Sequence, residues 1–315
     1  MLAATLIALA CLPAAVDDLE EIEASWEDAK DAEDRIEVLD RASALYRTAP
    51  ADSGVTEFVL SALMSRHEHE VRIHAATLLG AGFDADIAIE WLLGGIDDAT
   101  DEVDELAVEV AEINRKLKRE VDSKNPNFAV LMELLSEELS AIERTKGVDD
   151  LRVAIGQALA RRRDDRCATG IGELLPDVLH REESLDLVDV LLGYGTQPAV
   201  GAVVSTFEGI DGLRDRRKDT RKRLAKEKAK PKPPYYSGNA TEWRKSERTR
   251  LKKRLDDFDE QTEELEKRLV TIAKRASAFA KANGLQKAPR NARKTTWGGW
   301  WERNREQLPE SLQGS

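Results

Sequence analysis

The sequence predicts an all-α protein built from repeated pairs of helices. Hydrophobic residues make up 41% of the 315 positions but aromatic residues only 5%, whereas strand-rich domains usually contain more β-branched and aromatic residues. The chain has 19 glycines and 10 prolines, both below average usage, which indicates short loops. Apolar residues also recur at helical spacing through most of the chain, and one helix-turn-helix pattern occurs more than once.

Charge divides the chain into two parts of opposite sign. The total of 60 acids and 48 bases gives a net charge of −12. Residues 1–210 contain 19 bases and 44 acids, whereas residues 211–315 contain 29 bases and 16 acids. Such asymmetry predicts either a polyanionic partner for the basic part or docking of one part on the other.

The first fifteen residues are typical of a secretory signal peptide. They are apolar or small, too short a run to span a bilayer, and small residues at Pro13 and Ala15 favour cleavage after Ala15. No lysine or arginine precedes the apolar run, which departs from the usual pattern. Ala8 stands where a lipoprotein would carry a leucine-like residue before Cys11, so cleavage is favoured over lipidation. We expect a periplasmic or extracellular protein with no transmembrane segment after signal removal.

Residues 16–210 are predicted to form N-terminal capping helices followed by helical repeats. The clearest repeat has a helix over Val71–Gly80, a short glycine turn and a second helix that ends near Ile96, before a turn at Asp97–Glu102. Equivalent points recur at spacings of roughly 32 to 48 residues, which is typical of stacked helix pairs. The recurring segments are Leu191–Gly195, Leu151–Leu159 and, more faintly, Val103–Ile113.

At these residues the sequence resembles the HEAT-repeat family over about Thr56–Ile210. The shared pattern is an acidic turn, a Val-Arg pair, small residues, an Ala-Leu-Gly-like helix end and a second helix. This resemblance implies an α-solenoid that acts as a non-enzymatic binding scaffold. It also implies that Gly80 and Gly193 adopt positive φ after helix ends. The predicted seam residues are Val71, Ala75, Leu78, Leu79, Trp91, Leu92, Ile155, Leu159, Leu191 and Leu192.

Residues 211–284 are predicted to form a long basic antiparallel coiled-coil hairpin with its tip at 231–240. The second arm, Thr241–Ala282, carries apolar residues at alternating steps of four and three from Leu251 to Phe279, which is a heptad seam. Asn283-Gly284 is a typical helix stop. The second arm is longer than the first, so it must also pack beside the last repeat helix or form a homodimer through the seam 251–279.

Residues near the hairpin tip are the candidate partner-binding residues. Bases interleaved with aromatic residues resemble nucleic-acid surfaces, but predicted export and an acidic solenoid in the same chain oppose that interpretation. An acidic protein client or the anionic envelope surface is therefore the expected partner, and polyanion contact is expected to be weak. The candidates are Lys232, Tyr235, Tyr236, Trp243, Arg244 and Lys245.

The C-terminal segment 285–315 is rich in tryptophan. Trp297, Trp300, Trp301 and Asn304 form a Trp-x-x-Trp-Trp-x-x-Asn element that is similar to one found at the end of exported bacterial HEAT-repeat proteins. An aromatic patch that stacks on sugars is one interpretation. A structural role is favoured, because three exposed indoles would promote aggregation.

The sequence contains no clear catalytic motif. His67, His69 and His74 form the only histidine cluster, and solvated helix ends explain it better than a metal site. No nucleophile elbow or phosphate loop occurs. We therefore expect no catalytic residue, cofactor or metal, and a non-enzymatic exported scaffold for protein-protein interaction. The alternative is a protein that binds a polyanion, either nucleic acid or an acidic polymer, through the basic hairpin.

Overall fold

The computed structural model describes residues 19–48, 53–65, 68–123, 127–207, 215, 218–219, 221–222, 239–289 and 291–311. No strand occurs among these residues, which confirms the all-α prediction. The predicted signal peptide, most of the first hairpin arm and tip positions 231–238 lie outside the described residues. None of the helices in the described ranges combines the length and apolar character needed to cross a bilayer.

The chain divides into two compact units, one up to Arg161 and one from Arg162 onward. This division falls inside the segment 16–210 that the sequence suggested as one array. The described helices of unit 1 are α1 (Leu19–Asp28), α2 (Ala32–Thr48), α3 (Ser53–Met64), α4 (His69–Gly82), α5 (Ala85–Val121) and α6 (Phe128–Ala160). Those of unit 2 are α7 (Asp165–Val178), α8 (Ser184–Tyr194), α9 (Gln197–Ser205), α10 (Ala240–Ala282) and α11 (Lys294–Asn304), followed by a 3-10 turn at Arg305–Gln307.

The α4–α5 pair has the predicted short turn but not the predicted length. Asp84 caps α5 by accepting hydrogen bonds from the amides of Asp86 and Ile87 at 3.1 and 3.3 Å. The helix then continues for 37 residues to Val121, so the predicted turn at Asp97–Glu102 is wrong. No proline interrupts the segment, and a glycine alone costs a helix only about 1 kcal/mol relative to alanine.

The two weaker repeat copies are parts of longer helices. Val103–Ile113 continues α5, and Leu151–Leu159 forms the end of α6, which has 33 residues. Arg144 pairs with Glu109, and Arg152 donates to Thr100 at 3.2 Å. Residues earlier in α5 contact residues later in α6, so the two helices run antiparallel and form a hairpin.

Helix α4 packs on the C-terminal half of α6 through small residues. A Cβ at Gly80 would lie 2.7 Å from the Cα of Ala158, and one at Gly147 would lie 2.6 Å from the His69 ring. Glycine is therefore required at both positions for close approach. The expectation of positive φ at Gly80 and Gly193 is wrong, because both lie within helices.

Among the described residues, positive φ occurs at Gly195 and Gly284. Gly195 ends α8 with φ of 65°. Gly284 has φ of 68° and directly follows the last turn of α10. The stop predicted at Asn283-Gly284 is thus confirmed.

Eight of the ten predicted seam residues are buried, and two are not. Leu79 and Leu92 are fully buried, whereas Leu78 is half-buried and the Trp91 side chain is 40% exposed. Leu78 and Trp91 point about 100° away from Leu79 and Leu92, and at these two positions that direction faces outward. Placing Leu78 and Trp91 in the core was therefore wrong.

In unit 2, α7, α8 and α9 pack against one another, α10 lies beside α8, and α11 lies beside α9. Helix α10 covers Ala240–Ala282, which confirms the extent predicted for the second arm. Leu269, Ile272 and Ala276 of its heptad seam are buried within the chain. The C-terminal half of the seam 251–279 is therefore covered within the chain, and a homodimer through the rest of the seam stays a prediction.

Candidate partner-binding surface

One face of the N-terminal part of α10 carries a dense group of cations. We define the basic surface as Thr241, Arg244, Lys245, Arg248, Thr249 and Lys252, which line a shallow, open depression. All six side chains are exposed. Within the described part of the chain, none of the four bases forms an ion pair.

The N-terminus of α10 is fixed by a capping box. The Asn239 side chain accepts hydrogen bonds from the amides of Thr241 and Glu242, each at 2.9 Å, and the Glu242 carboxylate accepts one from the Asn239 amide at 3.2 Å. These bonds satisfy backbone donors that a helix start otherwise leaves unpaired. The cap therefore stabilises the first turn of α10, where the basic surface begins.

An acidic surface follows the basic one along the same helix. Arg244–Arg254 contains seven bases and one acid, whereas Leu255–Glu266 contains seven acids and no base. At the end of the acidic stretch, Glu263 pairs with Lys267 at 2.9 Å, and this hydrogen bond raises the pKa of Lys267. We define the acidic surface as Asp256, Asp259, Glu260, Glu263 and Glu264.

Arginines anchor the C-terminal half of α10 to unit 2. Arg268 donates to the carbonyl of Leu179 at 2.8 Å, and Arg275 donates to the carbonyl of Leu185 at 2.6 Å and to the carboxylate of Asp189. The cationic head groups thereby satisfy carbonyl oxygens beside the ends of α7 and α8. The basic and acidic surfaces lie on the part of α10 that precedes these anchors.

The first hairpin arm contributes one described contact to α10. Arg221 lies 2.9 Å from the carboxylate of Asp259, so a base of the first arm neighbours the acidic surface at this point. The remainder of the arm lies outside the described residues, and the antiparallel hairpin stays a prediction.

Of the six residues predicted to bind a partner, three can be placed. Arg244 and Lys245 are exposed members of the basic surface, and Trp243 is half-buried beside them. Lys232, Tyr235 and Tyr236 lie outside the described residues. The structure adds Arg248 and Lys252 to the surface, which helical spacing from Arg244 could have identified because steps of four keep side chains on neighbouring parts of one face.

The tryptophan element lies mostly inside unit 2. Trp297 is fully buried, stacks on Phe207 at 4.8 Å and donates from its indole nitrogen to the carbonyl of Asn291 at 2.8 Å. Trp300 is 1% exposed and donates to the carbonyl of Gln286 at 2.8 Å. Only Trp301 is half-exposed. This burial favours the structural interpretation for Trp297 and Trp300.

A buried arginine in unit 1 organises a polar cluster that sequence reasoning missed. Arg72 is 1% exposed and contacts Glu102 at 2.5 Å, Asp98 at 2.6 Å and the carbonyl of Leu63 at 3.0 Å. His69 lies 3.1 Å from the other oxygen of Glu102. Burial raises the pKa of Glu102, but the hydrogen bond and charge of Arg72, with help from His69, outweigh it and lower the pKa overall. This cluster joins α4 to α5 and is structural in character.

The predicted histidine cluster is dispersed. His69 binds Glu102, His74 lies 2.8 Å from Asp40, and His67 is outside the described residues. In the ranges that the structure describes, no group of three or more potential ligands is arranged to hold a metal ion. Cys167 is buried, and burial together with the charge of Asp164 raises its pKa to about 11, so its thiol stays protonated near neutral pH.

Comparisons of the chain with protein families, curated proteins and solved structures find no match. The surface of α10 must therefore be interpreted from its own chemistry.

Proposed function

We propose that the protein is a non-enzymatic scaffold whose basic surface on α10 binds an acidic segment of another protein. The observation that carries this proposal is the group of four exposed bases, Arg244, Lys245, Arg248 and Lys252, which have no carboxylate partner among the described residues. Exposed bases on one helix face attract an anionic partner and speed its encounter.

The length of the basic surface favours a short acidic segment. From Arg244 to Lys252 the helix rises about 12 Å, at 1.5 Å per residue. The acidic surface begins at Asp256, directly after it. A long polyanion laid along α10 would meet these carboxylates, whereas a protein segment with acids followed by bases would complement both surfaces. The net charge of −12 also opposes binding of a long polyanion.

The alternative function is binding of a polyanion that runs across α10 rather than along it. The half-buried indole of Trp243 next to Arg244 favours this candidate, because an aromatic ring beside cations can stack on a nucleobase. Such binding would be weak, independent of nucleotide sequence and strongly reduced by salt.

The HEAT-like repeat assignment and export belong to the same proposal. The α4–α5 pair and the glycine that ends α8 support repeated helix pairs within each unit. Export is supported by the apolar N-terminal sequence alone. Intact-mass measurement of the secreted chain tests it: loss of residues 1–15 is expected, and a retained N-terminus would contradict it.

The binding proposal is tested with two variants of equal charge change. One replaces Arg244, Lys245, Arg248 and Lys252 with glutamine. The control replaces the four bases at the end of α5, Arg115, Lys116, Lys118 and Arg119, with glutamine. The probes are fluorescent polyglutamate and single-stranded DNA, measured by anisotropy at low salt.

We expect the α10 variant to lose at least tenfold in affinity for polyglutamate and the control to change less than twofold. Equal losses would show that only net charge matters and would contradict a defined site. Tighter binding of DNA than of polyglutamate at equal charge would favour the polyanion alternative.

A further inference from the structure

The hairpin formed by α5 and α6 extends beyond the helix that covers its base. Helix α4 begins at His69, which contacts Gly147 of α6. The preceding part of α6, Phe128–Lys146, is about 28 Å long at 1.5 Å per residue. Within the described residues, α5 covers one side of this part through Leu134 and Ala141, which are buried.

A second side of the same helix carries an apolar stripe that no described residue covers. Its members are 43 to 74% exposed and follow steps of four, three, four and three. This spacing places them in one line, roughly 100° around the helix from the side that faces α5. We define the α6 stripe as Phe128, Met132, Leu135, Leu139 and Ile142.

The α6 stripe is not ordinary surface. Single exposed apolar residues are common, but a continuous line of five large side chains marks an interaction site. Its outer flank carries the small residues Ala129, Ser136 and Ser140, which let another helix approach closely.

We propose that the α6 stripe pairs with the same stripe of a second copy of this chain, with the two α6 helices antiparallel. The steps are nearly symmetric about Leu135, so a two-fold axis there places Phe128 opposite Ile142 of the second copy and Met132 opposite Leu139 of the second copy. Isologous contacts of this kind are the commonest basis of homodimers.

Charge beside the stripe supports this occupant. Glu138 lies on α6 between the stripe and α5, Lys118 is exposed on α5, and neither forms an ion pair among the described residues. The contact of Gly95 with Ile155 and the bond from Arg152 to Thr100 set the register of the hairpin and place Lys118 within one helical turn of Met132. Antiparallel pairing about Leu135 therefore brings Lys118 of one copy level with Glu138 of the other.

The proposed dimer interface is small, and its buried area determines the affinity that we expect. Stable complexes bury about 1,200 to 2,000 Å² in total, and one stripe of five side chains lies at the low end. We expect a dimer with micromolar affinity whose apolar contact survives high salt.

The test is sedimentation of the full chain at concentrations up to about 100 µM, where a micromolar dimer is well populated. We expect a mass twice the 35.1 kDa of one chain. The double variant Leu135→Glu and Leu139→Glu is expected to be monomeric with an unchanged melting temperature, because both side chains are exposed. The matched control is Val108→Glu on α5, which is 60% exposed and outside the stripe, and it is expected to stay dimeric.

A monomeric wild type at these concentrations would overturn the proposal, and so would a double variant that remains dimeric. Orientation is tested by oxidation in a Cys11→Ser background, in which Cys167 is buried. Leu135→Cys is expected to form a disulfide-linked dimer and Phe128→Cys is not. Efficient linkage of Phe128→Cys to itself would indicate parallel helices and contradict the antiparallel arrangement.

Discussion

Each unit of the protein contains one long helical arm, the α5–α6 hairpin in unit 1 and α10 in unit 2. The exposed part of the first arm is apolar, whereas the exposed part of the second is charged. In unit 1, α6 presents the apolar α6 stripe. In unit 2, α10 presents the basic surface and then the acidic surface. An apolar face is hidden by association that salt hardly affects, whereas a charged face binds through forces that salt screens within about 8 Å at physiological ionic strength. The two arms are therefore suited to different partners.

The arms are also anchored differently. Arg72 fixes α5 to α4 through two carboxylates in a buried cluster. Arg275 fixes α10 through a carbonyl and a carboxylate, and its side chain is 31% exposed. Removing a buried charge partner leaves the remaining charges without compensation, whereas water can replace a half-exposed one. The anchor of unit 1 should therefore be the more sensitive one.

Arg72→Met should have the largest effect. Asp98 and Glu102 would stay at 17% and 14% exposure without their cation, and the free energy of unfolding should fall by about 3 to 5 kcal/mol. Urea denaturation measures this. The control Arg144→Met breaks a pair whose side chains are 45% and 42% exposed and should cost less than about 1 kcal/mol. Equal losses would mean that the buried cluster is not an anchor.

Trp297→Ala should destabilise unit 2 by about 3 kcal/mol, because it removes a fully buried indole and its stacking on Phe207. Trp301→Ala removes a half-exposed ring and should cost less. Thermal unfolding of both variants checks the order. If Trp301→Ala proved the more damaging change, the core assignment of the tryptophan element would be wrong.

Arg275→Met should cost about 1.5 kcal/mol, since the bonds to Leu185 and Asp189 are charge-assisted but partly accessible to water. Hydrogen exchange of α10 amides reports the effect locally. Faster exchange is expected in the turns around residue 275, with little change in α4 to α6. Uniform acceleration in both units would contradict separate anchoring.

The smallest effect is a dependence of stability on pH through Glu102. Because Arg72 holds the pKa of Glu102 below its unfolded value, the stabilisation is complete above the unfolded pKa and is lost as pH falls through the folded one. Glu102→Gln should therefore be less stable than wild type at about pH 7 and should approach it at about pH 3. A gap that widens on acidification would contradict the lowered pKa.

Sequence reasoning succeeded where local signals and tertiary packing agree. The extent of α10 follows from an uninterrupted heptad seam closed by Asn283-Gly284. The α4–α5 turn was predicted from its glycines, and the structure adds Asp84 as the cap that begins α5. It failed at Asp97–Glu102, because acids resemble a capping turn until the buried Arg72 on another helix is known. The sequence did not reveal the α6 stripe, because the apolar residues of α6 that face α5 form a second line on the same helix. Together the two lines leave no clear helical periodicity in the sequence. Arg248 and Lys252 share the basic surface with the predicted residues Arg244 and Lys245, so helical spacing could have identified them from the sequence.

We propose that the two arms bind separate partners, one through apolar contact and the other through charge. The most direct measurement is sedimentation of the full chain with fluorescent polyglutamate while sodium chloride rises from about 0.05 to 0.5 M, which shortens the Debye length several-fold. We predict that the label dissociates and no longer sediments with the protein, while the protein keeps a mass twice 35.1 kDa. Loss of the dimer together with the label, or label that remains bound at the highest salt, would contradict it.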